Sequence, residues 1–154
     1  MKKLILISAL LFSFNGWEEE NEMVPLRDYI SGDFSGEDNE LLYLSYRCLG
    51  LYGMMWGLMQ DAPQDGAADT LKDFEEAQLQ LHLMAEYLYN RLTPVEKRDY
   101  IDNVTRSVLP MADNYQKEAN RSWTNSGSYF NEYILDDAYH CKTMIESFAN
   151  GSNE

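Results

Sequence analysis

Two histidines, His82 and His140, and two cysteines, Cys48 and Cys141, are the residues of this chain best suited to nucleophilic, proton-transfer or metal chemistry. His140 follows Asp136 and Asp137 by one helical turn, a spacing that sets imidazole and carboxylate on one face. Metal-binding helical bundles, however, need acids and histidines converging from several helices. His82 offers no matching half: its neighbours at helical spacing are Gln78, Leu79 and Glu86, and it falls nearer the polar side of its segment. A helical enzyme or metal site at the level of His82 and His140 is therefore a second alternative, and neither a metal nor any other cofactor is expected. No C-x-x-C pair, Gly-rich phosphate loop or G-x-S-x-G turn is present. The chain reads as a binder rather than a catalyst, with no catalytic residue assigned.

The elements that would carry these residues are helical. Apolar residues recur at three- and four-residue steps in four segments, 39–60, 67–92, 93–123 and 129–149, with no strand-like alternation to compete. The first ends where Pro63 and Gly66 interrupt it. Thr93-Pro94-Val95-Glu96 reads as a capping box opening the third, and Pro110 is expected to kink or break that helix near its middle. Short connections make successive helices antiparallel, so the expected fold is an all-α, up-down-up-down four-helix bundle over residues 39–150, with 151–154 a tail.

In that arrangement the first and fourth helices are antiparallel neighbours. Cys48 lies about 13 Å from the start of one and Cys141 about 12 Å from the end of the other. Both fall on the apolar seam at one height, and a Cys48–Cys141 disulfide is expected. Closing a loop of about 92 residues would add roughly 4 to 5 kcal/mol on the chain-entropy model. Arg47 reaches the same level on the seam's flank, and Asp137 across the contact is its expected ion-pair partner.

A disulfide between these cysteines needs an oxidising compartment, and the N-terminus supplies the reason to expect one. Lys2 and Lys3, an apolar run over 4–14 and a polar break at Asn15-Gly16 form a bacterial-type secretory signal over residues 1–16. The run is too short to span a bilayer. Its cleavage site is poorly formed, because cutting after Gly16 leaves Phe14 where a signal peptidase takes a small side chain. Periplasmic or secreted localisation is expected, with a retained leader anchoring the chain in the inner membrane as the alternative. The three N-x-[ST] triplets, at Asn103, Asn120 and Asn150, gain little from such a leader, whose bacterial character argues against glycosylation.

The net charge of -14 excludes a nucleic-acid partner, which needs a basic surface. It favours solubility, and attraction to a basic protein. Residues 17–38, rich in Asp and Glu, read as an acidic, partly disordered lead-in with a short turn around 26–30.

One face resists this scheme. With Leu44, Cys48, Leu51 and Met55 on the core seam, the opposite side of the first helix carries Leu42, Tyr46, Leu49, Gly53, Trp56 and Gly57, where a simple bundle would be polar. Three readings compete. A membrane span would place Arg47 in hydrocarbon, at a cost of about 2.5 to 3.5 kcal/mol. The lead-in could fold back over the face through Leu26, Tyr29 and Phe34. Alternatively the face docks a protein partner or a second copy, its glycines allowing close approach.

Overall fold

Apolar residues at nearly every position from 41 to 58 leave this helix no polar side to turn toward water, and the fold places it in the middle. The computed structural model describes residues 23–32, 34–60 and 67–151. Within them the chain is all-helical, with five helices packed together: α1 (Leu26–Ser31), α2 (Asp38–Gln60), α3 (Ala67–Leu92), α4 (Tyr100–Ser126) and α5 (Glu132–Gly151). The secretory segment lies outside the described residues.

Helix α2 is the hub. It packs chiefly on α3 and α4 and also on α5, while these three touch one another less. Every residue from 44 to 52 is consequently buried, including Ser45, Arg47 and Gly50. Helices α2 and α3 run antiparallel: Tyr52 packs on Phe74 toward one end, and Arg91 pairs with Asp38 at 3.0 Å at the other. Helices α4 and α5 form a second antiparallel pair, marked by Tyr115 against Tyr133 and by Asn131 donating to Glu118 at 2.6 Å.

The face for which three readings competed is covered over most of its length, and the reason is the hub position. Tyr46 and Leu49 are buried, and the Tyr46 hydroxyl donates to Asn103 Oδ1 of α4 at 2.6 Å. Leu42 is half-buried against the core, as is Gly53 beyond it. Only the end of the face reaches solvent, where Trp56 is half-buried and Gly57 exposed. Among the described residues no helix is long and apolar enough to cross a membrane.

Gly50 explains how α4 comes so close. A Cβ there would meet Ala112 N at 2.9 Å and Met111 Cβ at 3.0 Å, so only hydrogen fits between the two backbones. Gly53 and Gly57, by contrast, have open space where a Cβ would go.

Helix starts depart from the sequence reading in instructive ways. Helix α4 opens at Tyr100, not at Thr93: Asp99 is its N-cap and accepts from Asp102 N at 3.1 Å. The Thr93-Pro94 stretch instead leads into a single 3-10 turn over Val95–Lys97, with no side-chain cap. It finishes α3, because Arg98 turns back to donate to the carbonyls of Thr93 at 3.0 Å and Asn90 at 2.5 Å. Helix α4 then continues through Pro110 as one element. The chain entering α2 is folded onto Glu40, whose Oε2 accepts from Ser35 N, Ser35 Oγ and Gly36 N within 2.9 Å. Those bonds, Ser35 first, hold its carboxyl below the ordinary carboxylate pKa. In the described part of the acidic lead-in the expected turn is helix α1, and Leu26 is only 1% exposed.

The glycines give a test with opposite signs. Alanine is favoured over glycine inside a helix by about 1 kcal/mol, so Gly53→Ala and Gly57→Ala should each raise the urea midpoint. Gly50→Ala should lower it, because pushing α4 aside costs about 1 to 3 kcal/mol. A midpoint for Gly50→Ala at or above wild type would refute the close α2/α4 contact.

Candidate functional site

Burying α2 on every side forces a charge into the core, since Arg47 lies at its centre. Its side chain and that of Asp137 on α5 are both 0% exposed, and Arg47 Nη2 sits 2.7 Å from Asp137 Oδ2. Two charges so far from water are costly unless most of the remaining donors and acceptors are also met. Tyr115 of α4 bridges them: its hydroxyl accepts from Arg47 Nε at 2.9 Å and donates to Asp137 Oδ2 at 2.6 Å. Tyr133 accepts from Arg47 Nη2 at 3.2 Å and donates to the Met23 carbonyl at 3.2 Å. The second carboxylate oxygen, Asp137 Oδ1, accepts from the backbone N–H of Leu26 at 2.7 Å. Arg47 Nη1 alone in this cluster has no hydrogen-bond partner.

Burial alone would lower the pKa of Arg47, but Tyr115, Asp137 and Tyr133 around it more than offset that and hold it above the ordinary value. Burial drives Tyr115 well above 10 and Tyr133 up to about 12, against the opposing pull of Arg47. Tyr46 is likewise pushed to about 12, by burial and then by Tyr89. The cluster joins four helices, and at its centre Arg47 and Asp137, both shut away from solvent, neutralise each other's charge.

The sulfurs of Cys48 and Cys141 lie at disulfide distance, 2.06 Å, one residue along α2 from Arg47 and one turn along α5 from Asp137. Both are buried. The two histidines keep separate company. His82 is exposed on α3, with Nδ1 3.0 Å from the Tyr100 hydroxyl. Loss of water around its ring lowers its pKa, partly countered by Glu86. His140, on α5, has Nε2 3.8 Å from Asp136 Oδ2. No group of three or more His, Cys, Asp or Glu is placed to hold a metal among the described residues.

The surface offers two features that the sequence reading did not single out. A groove of about 610 Å³ lies between α3 and α5, floored by Tyr52 and Phe74 with Ile145 at its side, and rimmed by Glu76, Glu146 and Lys142. From its edge runs an exposed apolar stripe on α3: Leu79, Leu83 and Tyr87, 58%, 50% and 53% exposed. Their four-residue spacing puts them on one face and was visible in the sequence. It is masked there by Glu75, Glu76 and Glu86, which make the outer side of the segment look polar.

No family model, no curated protein and no solved structure matches this chain.

Two predictions follow the cluster. Arg47→Met leaves Asp137 buried and unpaired, so stability should fall by about 3 to 5 kcal/mol, and adding Asp137→Leu should recover much of the loss. Unchanged or higher stability for Arg47→Met in urea titrations would sink the role given to the pair. Tyr133 and Tyr46 hold their protons to about pH 12 in the folded protein against 10 ordinarily, so the unfolded chain binds fewer protons between those values. Stability should be intact below pH 10 and fall above it, by up to about 1.4 kcal/mol per pH unit for each tyrosine. Urea midpoints that stay level from pH 9 to about pH 12 would contradict this.

Proposed function

We propose that this chain is a small exported protein that acts by binding another protein, as an inhibitor or accessory factor, rather than by catalysis. The observation that carries this reading is the Leu79, Leu83 and Tyr87 stripe, three large apolar side chains left about half exposed on one helix face. Leaving such a row wet has a hydration cost that burial against a partner would remove. The flanking Glu75, Glu76 and Glu86 and the net charge of -14 suit a partner that is basic around an apolar core, or a second copy only at high salt. The binding surface proposed is thus α3, since α4 already occupies the first part of the α2 face.

The long helices serve as the scaffold, read as a four-helix bundle with α1 strapped to it. The Cys48–Cys141 pair supports an oxidising compartment, hence the periplasm or the exterior. Retention of the leader as an inner-membrane anchor is the second reading, favoured by Phe14 at the poorly formed cleavage site.

A photo-crosslinking residue at Leu83, in the chain expressed in its own host, tests the surface. A discrete protein adduct is expected, weakening steeply as salt rises and lost when Leu79→Glu and Tyr87→Glu are added without change in melting temperature. An adduct pattern indifferent to both substitutions, or none at all, would overturn the α3 reading.

A further inference from the structure

The groove between α3 and α5 is a concave site with walls from two helices and a floor reaching the hub, and its volume of about 610 Å³ falls within the range of small-ligand pockets, about 300 to 1,000 Å³. Tyr52 of α2 and Phe74 of α3 make the floor, their ring centroids 5.4 Å apart, and Ala77 and Ile145 extend the apolar lining. Tyr52 is only 7% exposed, yet its hydroxyl has no hydrogen-bond partner among the described residues. A partner for it must come from whatever fills the groove. The rim is acidic. Asp73 and Glu76 stand on the α3 wall and Glu146 on the α5 wall, against Lys142 as the basic residue of the lining. Lys142 already faces Glu146 at 3.9 Å, and Lys72 faces Glu76 at 3.6 Å. Both pairs are solvent-exposed and too long for hydrogen bonds, so they are worth little and a better-placed cation displaces either. The Glu146 charge is felt at the floor: after burial, it is the next cause that raises the Tyr52 hydroxyl above its ordinary pKa.

We propose that this groove binds a small organic cation, an aryl-alkyl ammonium whose apolar body lies on Tyr52, Phe74 and Ile145 and whose protonated nitrogen is held by Glu146 and the Tyr52 hydroxyl. Charge complementarity selects the sign: three carboxylates against one lysine repel a fatty acid or a phosphate ester and attract an ammonium. The floor selects the body, because a bare metal ion gains nothing from two aromatic rings and an isoleucine. Tyr52 selects the head, since its hydroxyl oxygen accepts the hydrogen bond that an ammonium donates. The site is separate from the Leu79, Leu83 and Tyr87 stripe, and needs no protein bound there.

The test titrates the full chain with phenylbutylamine and reads amide shifts by NMR. Saturable binding is expected, with the shifts centred on Tyr52, Phe74 and Ile145. Affinity should be at least about tenfold above that for phenylbutanol, which keeps the body and drops the charge, and phenylbutyrate should bind more weakly still. Glu146→Gln, at an exposed position, should weaken the amine at least about threefold and leave the alcohol unchanged. Ala77→Phe, which fills the groove, should abolish binding of both. No saturable binding, an amine that binds no more tightly than the alcohol, or shifts spread over the acidic surface instead of the groove would overturn the proposal. So would amine binding that survives Ala77→Phe, and if that variant does not fold, an affinity indifferent to Glu146→Gln decides against the site. Loss of the Leu83 adduct on the stripe would leave all of these outcomes as they are.

Discussion

A guanidinium carried into the core on the most buried helix sets the terms for the rest of the molecule. Because α2 has neighbours on all sides, Arg47 cannot extend its side chain to water as an arginine on a bundle surface does. Its charge must be met from inside, and the groups that meet it come from two other elements: Asp137 and Tyr133 from α5, and Tyr115 from α4. The carboxylate so recruited has an oxygen left over, and the backbone of α1 takes it. Packing of α1, α4 and α5 around α2 is therefore tied to one electrostatic requirement rather than to apolar contact alone.

Hydrophobic burial supplies the bulk of the stabilisation and is not specific by itself, since apolar surfaces tolerate sliding and repacking. A buried ion pair with directional bonds tolerates neither. Here the cluster favours one rotation of α2, α4 and α5 about their axes, and Gly50 selects how near α4 can come. The groove between α3 and α5 and the stripe beside it are what remains open after those choices.

Much of the fold was legible in the residues, and what was not has physical causes. The limits of α2 and α3 came out within a residue, because Pro63 and Gly66 separate two strongly periodic segments. Cys48, Cys141, Arg47 and Asp137 could be matched by height along helices. The start of α4 was misread because Thr93-Pro94-Val95-Glu96 has the right residue types for a cap, while the decisive partner, Arg98, acts backward on α3 through its side chain. Tyr115 and Tyr133 were invisible as members of the cluster, since a tyrosine on a helix face carries no mark of what its hydroxyl will bond. The all-round apolarity of α2 was visible but ambiguous: a membrane segment, a docking face and a hub helix share one composition, and only the placement of α4 distinguishes them.

The disulfide-distance pair and the ion pair sit side by side, and both join the second helix to the last. As the chain grows from its N-terminus, the hub is complete long before α5 exists, so through all the intervening synthesis its arginine has no carboxylate to bury against. The buried cluster can therefore close only once the final helix has been made.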